Sequence, residues 1–220
     1  LRKIAKLPKP PILQTNEDLW TKEYLEAIKS DSKSPSRWRD KRIRSVLNLE
    51  TSERCAYCDS EMLSVSFGDV EHIKPKSKFP DEVVKWSNLT LACQRCNNAK
   101  LDYYSDVESI LNPYIDDPLD HLIFAGDLIY HKPGSVMGYT TVSQLKLSRL
   151  ELVAARRRRL DLIATQLRNI EVAPNCEIAS TLREMLLDDY KSGEFRNSVR
   201  SILSMHGFPA TELDDSPVIV

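Results

Sequence analysis

Apolar residues fall at helical spacing toward both ends of this 220-residue chain and lose that spacing in between. Near the start, "TNEDLWTKEYLEAIKS" predicts a short helix capped by Thr15 or Asn16, with Leu19, Trp20, Tyr24, Leu25 and Ile28 on its apolar side. A second helix is expected with Ser34 as N-cap and Pro35 at its first position. Trp38, Val46 and Leu47 recur on one side of it, and Arg37, Arg39, Lys41, Arg42 and Arg44 occupy the others. Late in the chain, Ser148 and Glu151 form an S-x-x-E capping box that opens a long helix through about Ile170. Leu150, Val153, Leu160, Ile163, Ala164 and Leu167 give it a core stripe, and further helices are expected around 178–190 and 194–205, before a polar tail. Ahead of the long helix, "HLIFAGDLIYHKPGSVMGYTTVSQL" reads as a hairpin with turn signals at Gly126-Asp127 and Pro133-Gly134. The stretch 55–100 is different: it is short of helical period and rich in Cys, Asn and turn residues. The expected fold is α+β and mainly helical, with a basic arm and helices over 1–50, a distinct module over 51–106, and a hairpin with helices over 107–220.

Composition narrows the class. Hydrophobic residues make up 41% and charged residues 29%, as in ordinary globular chains. No apolar run approaches the roughly 18 residues of a membrane span, and "LRKIAKLPKP" lacks a secretory apolar region, so a cytoplasmic protein is expected. A net charge of -1 does not announce nucleic-acid binding, but the average conceals a polarity. Arg2–Arg44 holds 12 basic against 6 acidic side chains, whereas Asp102–Asp127 holds 7 acidic and none basic. Pro8, Pro10 and Pro11 mark Leu1–Leu13 as an extended basic arm. On a helix, Arg156–Arg159 covers every side, so at least one of these arginines must face the core or a partner.

The cysteines add chemistry. Cys55-Ala-Tyr-Cys58 and Cys93-Gln-Arg-Cys96 are two C-x-x-C pairs, and two such knuckles complete one tetrahedral four-sulfur site for structural Zn²⁺. A small module with little core of its own gains folding free energy from such an ion. A redox C-x-x-C would follow a strand in a βαβ unit, which the pattern lacks. Cys176 stands alone among helices and is expected to be a small buried or half-buried residue.

Between and just after the zinc pairs stand Glu71-His72, Asn88 in "WSNLTLAC", and "NNAKLD" with Asn97, Asn98 and Lys100. The order C-x-x-C, acid-His-x-x-Pro, Asn-Leu, C-x-x-C-Asn-x-x-Lys resembles the HNH (His-Me finger) nucleases, including the HNH domain of CRISPR effectors. That resemblance covers 55–102 and implies a ββα-metal fold. It implies that His72 is the general base, that Glu71 and Asn97 hold a catalytic Mg²⁺ or Mn²⁺, and that Asn88 braces the loop and the histidine. Lys100 is expected to help hold a phosphate. An imidazole can take a proton from water near neutral pH, and a carboxylate with an amide oxygen suits a hard cation. Many family members have Asp or His in place of Glu71 and His in place of Asn97. Because neighbours in a regular strand face opposite sides, Glu71 and His72 are expected where the strand bends. His121, His131 and His206 lack comparable company and read as structural or surface residues.

The flanks add a looser likeness. "LRKIAKLPKPPIL", "NPYIDDP" and "TTVSQLKLSRLELVAARRRRL" resemble the PtuB-like HNH nucleases of Septu and retron anti-phage systems, which accompany a PtuA-like ATPase. The resemblance implies a nucleic-acid substrate, DNA favoured and RNA compatible, and an ATPase partner. The alternatives are a stand-alone restriction or homing-type nuclease and a zinc module that binds nucleic acid without cutting it. If a partner docks, Trp20, Tyr114 or Phe124 are the expected anchors where exposed.

Overall fold

Helix α1 spans Pro11–Lys29, beginning before the predicted cap. A proline in the first turn gives up no hydrogen bond, because that N–H has no intrahelical partner in any case. Thr15 and Asn16 lie inside the helix, and their side chains donate back to the carbonyls of Pro11 and Ile12. The buried stripe is Leu13, Trp20, Tyr24 and Ala27, while Leu19 and Ile28 face outward. The next helix also starts later than its sequence suggests. Trp38 sits in a single 3₁₀ turn, Arg37–Arg39, and α2 runs Lys41–Thr51 behind Asp40 rather than Ser34. The Asp40 carboxylate accepts the Arg42 N–H at 2.9 Å and adds favourable charge at the helix start.

The computed structural model describes residues 1–62 and 68–214, so part of the expected polar tail lies outside the described residues. Strands β1 (Asp69–His72) and β2 (Leu89–Ala92) pair antiparallel, with Glu71 opposite Thr90 and His72 opposite Leu89. Helix α3, Gln94–Lys100, follows directly and completes a ββα unit. Gly68 enters β1 at φ +63°, and a Cβ there would stand 2.8 Å from the Met62 sulfur. Helix α4 (Pro118–His121) then leads into β3 (Leu122–Ala125) and β4 (Leu128–His131), joined at Gly126-Asp127 as predicted.

The rest of the predicted hairpin is a helix, α5, Val136–Gln144. Ser135 caps it through the Gly138 N–H, and a side chain at Gly138 would overlap the His121 carbonyl. Helix α6 covers Leu150–Glu171 with Arg149 at its N-cap. The capping box does not form, because the Ser148 hydroxyl donates to the Ile129 carbonyl at 3.2 Å. The α6 core stripe is Leu152, Arg156, Ile163 and Leu167, and Leu150 is exposed. Helices α7 (Cys176–Ser192) and α8 (Arg196–Met205) follow, with Cys176 exposed at the first turn of α7 rather than buried.

One apolar cluster joins α1, α2, the ββα unit and the C-terminal half through Trp20, Leu47, Leu91, Leu145, Leu152 and Phe195. The N-terminal arm is part of that packing. Leu1 and Ile4 are buried, Arg2 donates to the Thr51 carbonyl at 2.9 Å, and Lys6 reaches Glu50 at 3.0 Å and the Leu89 carbonyl at 2.6 Å. Trp20 and Phe124 are core residues, and the Tyr114 hydroxyl bonds Glu50 and Thr90, so none of the three is an exposed anchor. The arginine run divides by side. Arg156 is fully buried and donates to the carbonyls of Asp127 and Leu147, Arg157 pairs with Asp127, Arg159 pairs with Asp189, and Arg158 faces solvent. No helix among the described residues is long and apolar enough to cross a membrane.

Candidate metal centre and catalytic cleft

The four zinc-type cysteines converge. Their sulfurs lie within 4.8 Å of one another, and the Cys58 and Cys93 sulfurs are 3.8 Å apart. A tetrahedron with Zn–S bonds of about 2.3 Å has edges of about 3.8 Å, so this donor set fits zinc. The first knuckle is fixed by the Asp59 N–H on the Cys55 carbonyl, and the Ala56 N–H ties it to Leu91 of β2 at 2.9 Å. In the second, the Cys93 sulfur caps α3 by accepting the Cys96 N–H at 3.5 Å. Both terminal guanidinium nitrogens of Arg149 reach the Cys96 sulfur at 3.7 Å, placing positive charge beside a thiolate cluster. Sequence carried no signal for this contact, because Arg149 is 53 residues from Cys96.

Helix α3 links this centre to the cleft. Cys96 faces the sulfurs, Asn97 follows it, and Lys100 lies one turn on. Lys100 is buried, and its ammonium donates to Glu71 Oε1 at 2.7 Å and to the His72 carbonyl at 2.8 Å. Burial pushes the Glu71 carboxyl above its ordinary range, against the pull of Lys100. Lys100 therefore holds the carboxylate and the strand end, in place of the phosphate contact expected of it. The amide of Asn97 donates to Asp69 Oδ2 at 3.1 Å, which turns its carbonyl oxygen elsewhere. Asp69 was not among the expected site residues, although a period of two puts it on the Glu71 face of β1.

His72 closes the strand, and it lines the same cleft as Glu71 despite being its neighbour. That cleft, about 380 Å³, also has Pro75, Lys76, Asn97 and Asp102 in its walls. A second cleft of about 380 Å³ adjoins it through Glu71, His72, Lys76 and Asn97, and adds Asp69, Arg39 and Arg44. His72 Nε2 lies 2.8 Å from the Val83 carbonyl. A carbonyl only accepts, so the neutral ring carries its proton on Nε2 and its lone pair on Nδ1. Trp38 packs edge-on against this imidazole with centroids 5.2 Å apart. Burial, with Lys76 and Lys100 adding like charge, lowers the His72 pKa from 6.5 to about 4. Asn88 acts on the flanking loops. Its side chain accepts the Lys74 N–H at 2.7 Å and donates to the carbonyls of Lys74 and Glu82, clamping the loop that carries Val83.

Glu71, His72 and Asn97 are thus brought into one cleft, and Asn88 supports it from the loop. The arrangement offers an unprotonated ring nitrogen, a buried carboxylate and an amide oxygen beside basic side chains. Trp38 and the Val83 carbonyl were missed because neither lies in a motif.

Residues 55–102 match the family model for HNH endonuclease. The chain is 25% identical to "Septu protein PtuB" of Bacillus mycoides (strain KBAB4), over 94% of this chain and 82% of that one. It is 32% identical to "Septu protein PtuB" of Bacillus thuringiensis over 66% of this chain, and spans about half that relative's length, 54%. The ββα unit with its four cysteines is an HNH endonuclease-type domain, set in a chain similar along most of its length to a Septu protein PtuB.

Proposed function

We propose that this chain is a metal-dependent HNH endonuclease that hydrolyses phosphodiester bonds of nucleic acid, with 51–106 as its catalytic module and 1–50 and 107–220 as its flanks. The observation that carries this reading is the tautomer of His72, whose Nε2 is committed to Val83 and whose Nδ1 keeps its lone pair, in a residue that lines one cleft with Glu71 and Asn97. His72 Nδ1 takes a proton from a water as its oxygen bonds to phosphorus. The P–O3′ bond breaks, the departing oxygen gains a proton, and a 5′-phosphate and a 3′-hydroxyl remain. Val83 and Trp38 hold the ring, and Asn88 holds Val83's loop.

Glu71, through the oxygen that Lys100 leaves unused, and Asn97 through its carbonyl suit Mg²⁺ or Mn²⁺. Such an ion, when bound, neutralises charge on the scissile phosphate and on the leaving oxygen. Arg39, Arg44 and Lys76 of the adjoining cleft would meet the strand's phosphates, with DNA the favoured substrate and RNA also compatible. The likeness to Septu proteins PtuB supports a place in an anti-phage defence complex with a PtuA-like ATPase in the cytoplasm.

The test uses purified full-length chain with Mg²⁺, a supercoiled plasmid and total RNA, alone and with the neighbouring ATPase. His72→Ala should end cleavage while zinc content is kept, because it removes the base and no ligand of the zinc. Cleavage by His72→Ala at the unmutated rate would refute the assignment and favour a module that binds without cutting.

A further inference from the structure

Two carboxylates stand on one side of β1, and α3 answers each of them. Asp69 and Glu71 are two residues apart in the strand, so their side chains leave it on the same face. Asn97 and Lys100 are three apart in the helix, close to one turn, and share a face as well. The Lys100 ammonium meets Glu71 Oε1 at 2.7 Å, and the Asn97 amide meets Asp69 Oδ2 at 3.1 Å. The first pair offsets the cost of a buried carboxylate. The second has no such purpose, because Asp69 is only half-buried and water could satisfy it equally well.

The backbone on both sides of this second pair is fixed. Gly68, just before Asp69, accepts Arg44 Nη2 at its carbonyl at 3.0 Å. Asp69 itself lies opposite Ala92, the residue before the zinc-type Cys93. On α3, the Asn97 N–H bonds the Cys93 carbonyl at 2.9 Å, and its neighbour Cys96 belongs to the sulfur cluster. A zinc ion there fixes where the Asn97 backbone stands. It does not decide which end of the amide enters the cleft.

That choice matters, because the two ends are alike in size and opposite in chemistry. The oxygen can bind a hard cation and the NH₂ group repels one. An ionised carboxylate only accepts, so Asp69 draws the NH₂ group to itself. The reversed amide would set its oxygen against a carboxylate. Asp69 thereby leaves the Asn97 oxygen for the clefts that Asn97 shares with Glu71 and His72.

We infer that Asp69 is a positioning residue for the cation site, which holds the Asn97 amide so that its oxygen, not its nitrogen, faces the ion. This role rests on the metal-dependent reading of the cleft. Asp69 acts through Asn97 and is not itself a ligand, since its Oδ2 is turned to a donor.

The experiment is a double-mutant cycle read by Mn²⁺ binding to the zinc-loaded full chain, followed by electron paramagnetic resonance. Asp69→Ala should weaken Mn²⁺ binding roughly 10-fold, within the 10–100-fold cost of losing an outer partner of a metal ligand. In an Asn97→Ala background the same change should alter it less than about 2-fold, because no amide remains to be held. Asp69→Asn keeps an acceptor without the charge and should retain most of the affinity. An undiminished loss from Asp69→Ala in the Asn97→Ala background would overturn the inference, marking Asp69 as a ligand or a plain source of negative charge. So would Asp69→Asn as weak as Asp69→Ala.

Zinc content and the melting midpoint of each variant separate loss of position from loss of fold. The orientation also has a readout that needs neither cation nor variant. In the intact chain without Mn²⁺, the Asn97 side-chain amide protons should show a nuclear Overhauser contact to the Asp69 β-protons. Should Asp69→Ala lose zinc, Asp69→Asn and this contact carry the test. Mn²⁺ binding without the contact leaves the metal reading standing and overturns the role of Asp69. The contact without Mn²⁺ binding overturns the metal reading, and the positioning role falls with it.

Discussion

Acidification from about pH 7 to about pH 4 should weaken this fold through His72, and the size of the effect follows from its surroundings. The folded pKa is about 4, against 6.5 for an exposed imidazole, because burial disfavours the charged ring and Lys76 and Lys100 repel it. The hydrogen bond to Val83 pulls the other way and is outweighed. A depressed pKa means that the unfolded chain takes up the proton first. Above about 6.5 both states are neutral at this residue and nothing changes with pH. Between 6.5 and about 4 only the unfolded state gains a proton, so stability falls as pH falls, then levels below about 4. A depression of this size corresponds to about 3 kcal/mol in all, at ~1.4 kcal/mol per pKa unit.

The assay is urea denaturation at stepped pH on the intact chain and on His72→Ala. Zinc thiolates protonate in acid in both proteins, so the difference between the two curves isolates the imidazole. The gap between them should close by about 3 kcal/mol as pH falls through the window. Parallel curves would refute the burial argument and with it the neutral base. Cleavage should agree, with its acidic limb below the ordinary imidazole range.

Three further outcomes are expected. Lys100→Ala strands the Glu71 carboxylate in a buried site and should cost about 3–5 kcal/mol in chemical denaturation, with much of it restored by adding Glu71→Gln. An unchanged midpoint for Lys100→Ala would show that the pair is not stabilising. Cys58→Ser should lose both bound zinc, by elemental analysis, and tertiary near-ultraviolet dichroism, whereas a folded, reduced chain without zinc would exclude the site. Deleting residues 1–10 should sharply lower thermal stability, because it uncovers Glu50 and Trp86, whereas an unaltered melt would show the arm to be accessory.

The convergence of the site residues was more legible than the frame that holds them. The four cysteines, read from their spacing, do converge, and Glu71, His72 and Asn97, picked out by their order and the family resemblance it carries, do line one cleft, with Asn88 clamping a neighbouring loop. Helix starts were harder to read. Asp40 outcompetes Ser34 as a cap by its charge, and Ser148 leaves its capping box for a carbonyl 19 residues away. The segment Val136–Gln144 looks strand-like, with Thr140, Thr141 and Val142 in a row, but a capped helix buries Gly138, Thr140 and Thr141. The α6 stripe was right at Ile163 and Leu167 and wrong toward the helix start, where apolar periodicity cannot register a fully buried arginine. Arg156 belongs to the core because two backbone carbonyls receive its guanidinium, and burial lowers its pKa to about 10. Trp38 and Arg149 reach the site across long sequence separations that no local pattern encodes.

Charge shows why regional counts mislead. The excess of basic residues over Arg2–Arg44 suggests a nucleic-acid tail, but Arg2 and Lys6 are spent inside the fold on Asp59, Glu50 and backbone carbonyls. The acidic stretch Asp102–Asp127 suggests a repelling surface, yet Asp116 and Asp117 accept local N–H groups and Asp127 pairs with Arg157. The cations that line the clefts are a short set, Arg39, Lys76 and Arg44, the last donating to the Gly68 carbonyl at 3.0 Å, with Asp69, Glu71 and Asp102 among them. Three cations neutralise few phosphates, and each neutralised phosphate adds to salt-dependent affinity. A cleft that mixes carboxylates with so few cations has room for a divalent ion and only modest grip on a long strand. That balance favours substrate delivery by a partner carrying the missing basic surface, a role open to the ATPase of the proposed complex.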